Sequence, residues 1–136
     1  NQNQILSKPV ISAENILSKA KGCNVIGIDE AQFFDNKIVK VCNDLANDGL
    51  RVIVAGLDMD YKGIPFGPMP SLMATAEYVT KLHAICSRTG NLANNSYRIS
   101  IEESQIQLGE KESYQPLSRL EFYKAIKKRK NKKQNP

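Results

Sequence analysis

The segment Val25-Ile26-Gly27-Ile28-Asp29-Glu30-Ala31-Gln32-Phe33-Phe34 constrains this chain more than any other. A mostly apolar run leads straight into two carboxylates, an amide and two aromatic rings. A short continuous apolar run bounded by polar residues fits a strand buried on both faces, as in a parallel sheet. The paired acids then stand at the carboxyl end of that strand, the edge of an open α/β sheet where ligands bind. There one carboxylate can hold a Mg²⁺ that neutralises nucleotide phosphates, and a second can accept a proton. Read alone, the stretch also fits a strand ending in a solvated turn with ordinary surface acids.

The flanks extend the pattern. Ser12 is placed to cap a short helix over 13–20, with Ile16, Leu17 and Ala20 on one face and Gly22 as its stop. Asp35 or Asn36 caps a second helix, in which Ile38, Val41, Cys42 and Leu45 follow the helical spacing and Gly49 ends the element. Residues 51–56 form another short run rich in β-branched side chains. Strand, helix, strand at this spacing is a parallel crossover unit. Residues 57–70 then hold three prolines and two glycines, which argue against a regular element. Asp58, Asp60, Tyr61 and Phe66 sit among them, so this is either a ligand-binding loop or a connector whose rings plug the core.

Residues 78–85 read as a third strand, and the character changes at Cys86. Asn91, Asn94, Asn95 and Ser96 are turn residues, and 97–101 and 105–108 read as a strand pair. A polar loop over 109–116 carries Tyr114, and 119–130 has helical character.

Composition adds limits. The chain has 136 residues, enough for one domain with a small appendage. No run of about 18 apolar residues is present, so no membrane-spanning helix is expected. The start at Asn1 shows no secretory signal pattern, and the lack of an initial Met hints at a fragment. Cys23, Cys42 and Cys86 lie far apart with no CxxC, which favours free thiols in a reducing cytoplasm. The net charge of +5 is a property of the tail: seven of the 19 basic residues fall within 124–136 and none of the 14 acids does. Such a tail reads as a solvated, frayed terminus, with non-specific attraction to nucleic acid as the sharper alternative. No aromatic residue follows Tyr123, so stacking on single strands is not expected.

These residues resemble the type II, cellular-type thymidine kinases. The match runs through Asp29-Glu30-Ala31-Gln32-Phe33-Phe34 and Val54-Ala55-Gly56-Leu57-Asp58-Met59-Asp60. It continues in Pro65-Phe66-Gly67-Pro68-Met69-Pro70, Ala76-Glu77, Thr80-Lys81-Leu82 and Tyr114-Gln115-Pro116-Leu117. The resemblance implies an α/β fold: a P-loop, RecA-like parallel sheet, here without its N-terminal strand and P-loop, followed by a small lasso domain. The implied division is 1–85 for the α/β part, 86–123 for the lasso domain and 124–136 for the basic tail.

It also implies transfer of the ATP γ-phosphoryl group to the 5′-hydroxyl of thymidine. Asp29 corresponds to the carboxylate that holds Mg²⁺ with ATP through water, and Glu30 to the base that takes the hydroxyl proton. Phe33, Leu57 and Tyr61 correspond to the thymine pocket. Tyr114 and the backbone at Gln105, Ile106 and Gln107 correspond to lasso contacts with sugar and base. Met59 and Ser96 are candidates beside the thymine methyl. A cytoplasmic homotetramer inhibited by thymidine triphosphate is implied too, with no membrane or nucleic-acid partner.

Two departures stand out. No GxxxxGK[ST] motif occurs in the 136 residues, so these residues by themselves are not expected to phosphorylate thymidine. The family's lasso domain carries a four-cysteine zinc site, of which Cys86 remains while Thr89, Ser118 and Glu121 stand at the other positions. No zinc is therefore expected, and packing through Leu92, Tyr97, Leu117 and Phe122 is expected to hold the small domain. His83, the single histidine, reads as a structural residue. The competing readings are a helicase or RecA-type ATPase, where the Glu would activate water, and a non-catalytic nucleotide-binding module.

Overall fold

The computed structural model describes residues 6–99 and 114–134, with side chains as far as residue 131. At its heart β1 (Val25–Ile28) and β2 (Arg51–Val54) pair in parallel, with Val25 opposite Arg51 and Ile28 opposite Val54. The crossover between them is α2 (Lys37–Asn47). Of its two candidate caps, Asp35 closes the entry: its carboxylate accepts the Lys37 N–H at 3.0 Å. Gly49 ends the helix as expected, with the N–H groups of Gly49 and Leu50 donating to the carbonyls of Ala46 and Leu45.

The residues divide into two compact units, the first formed by 1–58 and 66–77, the second by 59–65 and 78–136. This cuts across the sequence division, because residues 59–65 and 78–85 group with the second unit.

In the first unit, α1 (Glu14–Lys19), α2 and α3 (Met69–Thr75) build one core. Ile16, Ala20, Ile28, Ile38, Val41, Leu45, Met69 and Leu72 bury their side chains there. Ile26, Val52 and Val54 pack against the same core. Their strand neighbours Val25 and Ile53 remain about half exposed, so β1 and β2 are packed on one face and not on both. Two local expectations also change. The N-cap position of α1 falls on Ala13 and not Ser12, whose N–H instead donates to the Asn15 side chain, and Leu17 lies at the surface. The irregular stretch stops at Pro68, because Pro70 occupies the first turn of α3, where no backbone N–H is required.

The second unit is a small antiparallel assembly. β3 (Ala84–Ile85) pairs with β4 (Leu92–Ala93), and β5 (Asn95–Arg98) pairs with β6 (Tyr114–Leu117). α4 (Arg119–Gln134) follows. Cys86, Ala93, Leu117 and Ala125 are buried, with Tyr97 and Phe122 meeting edge to face at 6.4 Å against them.

Several expectations are corrected here. The third strand shrinks from 78–85 to Ala84–Ile85, since a strand forms only against a neighbour; Tyr78 and Leu82 are 94% and 90% exposed. Leu92 lies outward, so packing rests on Tyr97, Leu117 and Phe122 without it. The proposed pairing of 97–101 with 105–108 gives way to β5 with β6, while 105–108 lies outside the described residues. Tyr114 is therefore on a strand and not in a loop. The basic tail is not frayed from residue 124: α4 carries it on as helix to Gln134. Arg129 anchors that helix by donating to the Arg98 carbonyl at 2.7 Å and lying over the Tyr97 ring.

Candidate functional site

The first cluster is built where β1 ends. Past Ile28, the Asp29 carboxylate accepts the Glu30 N–H at 2.8 Å. Glu30 adopts a left-handed backbone, φ 53° and ψ 39°, which a residue with a side chain takes only when its surroundings impose it. A single 3₁₀ turn, Ala31–Phe33, then folds the chain back onto β2. Ala55 donates to the Ile28 carbonyl at 2.8 Å and Ala31 to the Ala55 carbonyl at 3.0 Å, so the ends of both strands are stitched together.

Gln32 is the pin of this turn. It is buried, donates from Nε2 to the Glu30 carboxylate, and accepts the Leu57 N–H on Oε1 at 3.0 Å. The chain presses on it from two sides. A Cβ on Gly56 would stand 2.7 Å from its Oε1, and one on Gly67 would overlap its carbonyl oxygen. Phe33 stays half exposed and meets Phe66 edge-on, ring centres 5.6 Å apart. Phe66 is fixed through its N–H, which donates to the Asp58 carbonyl at 3.0 Å. Asp29, Glu30, Phe33 and Leu57 are thus brought together on the surface of the first unit: two exposed carboxylates beside an aromatic pair and an exposed Leu57.

A second cluster lies in the second unit. Asp60 is buried and makes a tight turn, accepting the N–H groups of Lys62 and Ile64 at 2.8 and 3.1 Å. That turn presents Tyr61, whose ring lies against the guanidinium of Arg98 at 3.9 Å. Arg98 is 1% exposed and donates from Nε and Nη2 to the Tyr114 hydroxyl at 3.1 and 2.7 Å.

A third cluster surrounds Cys86, which is buried. The Thr89 hydroxyl first, then backbone groups of Ser118, Arg88 and Thr89, lower its thiol to about 6 against the opposing effect of burial. In the same unit Glu121 pairs with Lys124 at 2.9 Å and Arg88 at 3.6 Å. Both cations hold its carboxyl below the usual range, Lys124 more than Arg88.

A family model described as thymidine kinase matches residues 1–122. The chain belongs to the thymidine kinase family. It is 50% identical to a thymidine kinase of Bacteroides fragilis over 132 residues, which is 97% of this chain and 66% of the relative. Identity to a thymidine kinase of Rhodothermus sp. is 56% over 122 residues, 90% of this chain and 57% of the relative. With a Porphyromonas gingivalis thymidine kinase it is 48% over 124 residues, 91% and 61% of the two chains. The chain therefore spans roughly three-fifths of the length of these relatives.

Within this thymidine kinase family chain, the residues carried over from the resemblance fall on two separate units. Asp29, Glu30, Phe33 and Leu57 belong to the first, and Tyr61 and Tyr114 to the second. Gln105, Ile106 and Gln107 lie outside the described residues. Asp29 is an exposed, hard oxygen donor of the kind a hydrated Mg²⁺ takes. The zinc implied by the family does not fit: Cys86 is the one thiol among the four positions, and Glu121 already neutralises two cations. Among the described residues no group of three His, Cys, Asp or Glu side chains could hold a metal ion. Among the described residues, too, no helix is long and apolar enough to cross a membrane.

Two residues here were not singled out by sequence reasoning. Gln32 carries a signal in its setting: an amide between exposed Glu30 and exposed Phe33, on a turn two residues before Phe34 packs on the core, is placed to turn inward. Arg98 carries a weaker one, since a lone Arg at the end of a short strand normally reads as surface.

Proposed function

We propose that the protein of which these residues are part is a thymidine kinase, transferring the γ-phosphoryl group of ATP to the 5′-hydroxyl of thymidine. The observation that carries this reading is the Asp29–Glu30 pair at the mouth of a parallel strand, with Glu30 held by Gln32 beside the Phe33–Phe66 rings. Phosphoryl transfer asks for charge neutralisation and alignment more than covalent help. In this reading Asp29 binds hydrated Mg²⁺ with ATP; the ion, when bound, neutralises phosphate charge. Glu30 orients the 5′-hydroxyl and takes its proton. Gln32 donates to the Glu30 carboxylate and so fixes its direction. Phe33 and Leu57, from the first unit, and Tyr61 and Tyr114, from the second, are assigned to the nucleoside, whose planar base suits aromatic faces. The exposed ring beside the acids favours a nucleoside substrate over water, and so a kinase over a helicase-type ATPase.

The second unit is assigned as the lasso domain, without zinc. The phosphate-binding loop is assigned to chain outside these 136 residues, since no GxxxxGK[ST] occurs within them. A cytoplasmic homotetramer with inhibition by thymidine triphosphate is carried over from the family resemblance. The test is a radiolabelled transfer assay on the full-length protein and on residues 1–136. Thymidine monophosphate from the full-length protein, and none from residues 1–136, is the expected result. No product from the full-length protein, or ATP hydrolysis stimulated by single-stranded nucleic acid instead, would refute the kinase reading.

A further inference from the structure

We propose that Arg98 is a positioning residue for the nucleoside, fixing Tyr61 and Tyr114 together; this rests on the thymidine kinase reading. Nothing in the family resemblance assigned Arg98 a role. Its placement follows from the fold of the second unit. The β5–β6 register sets Arg98 directly opposite Tyr114. Cross-strand neighbours on one face come close enough for long side chains to pair. The guanidinium is buried, and burying a charged group is costly unless the groups around it compensate.

The geometry uses what an Arg has and a Lys lacks. Its planar face lies on the Tyr61 ring at 3.9 Å, while two edge donors reach one oxygen, the Tyr114 hydroxyl. A planar, delocalised cation can stack and donate in the same pose. Because the Tyr114 oxygen accepts both bonds, its own O–H remains to donate to an acceptor outside the pair. Arg98 therefore sets the plane of one ring and the direction of one proton. The class of ligand atom this suits is a nucleoside oxygen accepting from Tyr114, with a flat base near Tyr61. The pose is braced from behind: Arg129 of α4 donates to the Arg98 carbonyl at 2.7 Å.

The experiment uses the full-length enzyme and the variants Arg98→Met, Arg98→Lys, Tyr114→Phe and the double variant Arg98→Met with Tyr114→Phe. Thermal melting confirms which of them fold, and steady-state kinetics give KM for thymidine, KM for ATP, and kcat. Arg98→Met is expected to raise the thymidine KM by about tenfold or more, the loss of hydrogen bonds from a charged donor. The ATP KM should be unchanged and kcat affected less than the thymidine KM. Arg98→Lys should recover part of the loss. In the Tyr114→Phe background the Arg98→Met effect should shrink, because the two residues act as a unit. A folded Arg98→Met or Arg98→Lys enzyme with wild-type thymidine KM overturns the proposal, as does a loss that is equal for ATP. Full additivity with Tyr114→Phe overturns it too. A wild-type enzyme that neither binds nor phosphorylates thymidine overturns the kinase reading and this proposal with it.

Discussion

Gln32 accepts the Leu57 N–H at 3.0 Å, so a buried side chain, and not a ladder bond, secures the chain as it leaves β2. Its other end holds Glu30. Gln32→Ala would leave the Leu57 N–H without its acceptor in a partly buried place, which costs about 1–3 kcal/mol. Urea denaturation of the variant should show that loss. Gln32→Glu should cost more, because a carboxylate would then face Glu30.

Glu30→Gln separates chemistry from folding. The amide still offers an oxygen to Gln32, so the melting temperature should hardly move. As a general base the position contributes on the order of 10²–10⁴-fold, and kcat should fall by that amount with little change in either KM. Steady-state kinetics on the full-length enzyme check it; unchanged kcat would remove Glu30 from the reaction.

Gly67 has a left-handed backbone, φ +49°, directly over the Gln32 carbonyl. Gly67→Ala meets both strain and a backbone atom that cannot swing aside, and should destabilise by roughly 2–4 kcal/mol. Gly22→Ala is the control: φ is +79° but the space around it is open, so the cost should be about 1 kcal/mol. Paired denaturation curves distinguish the two.

Cys86 predicts a pH dependence. Its thiol ionises near 6 in the folded protein against 9.0 ordinarily, because the Thr89 hydroxyl and nearby backbone groups favour the thiolate. A lowered folded value means that the unfolded chain binds more protons across this window, so stability rises with pH between about 6 and 9. The contribution is fully present above the upper value and is lost as pH falls through the lower. Melting temperatures of wild type and Cys86→Ser should therefore diverge as pH rises from 6 to 9. Thr89→Val should flatten the wild-type trend.

Metal removal offers a separate check. With one thiol at the four family positions, chelation by EDTA should leave the melting temperature of the second unit unchanged, and elemental analysis should find no stoichiometric zinc. One equivalent of zinc per chain, lost together with stability, would contradict that.

The parallel crossover and the acid pair were legible because they rest on local patterns. The apolar run of β1, the helical spacing of α2 and the stop at Gly49 each settle their own position. What could not be read depends on neighbours. Residues 78–83 have a strand's composition, yet a strand exists only where another lies beside it. Tyr114 sits in a polar sequence, and only its pairing with Arg98 makes it a strand residue. Pro70 reads as a breaker from sequence, although in a first helical turn it starts the element. The roles of Gln32 and Arg98 were hidden for one shared reason: each is a polar side chain turned inward by residues far away in the chain.

The one-sided packing of β1 and β2 has a practical outcome. Val25 and Ile53 give half of their surfaces to water on a sheet of two strands, whose outer backbone edges are open among the described residues. Bare hydrocarbon next to unclaimed amides is a template for clumping. The expected outcome for this polypeptide on its own is association through that face, and salts that drive hydrocarbon out of water should strengthen it.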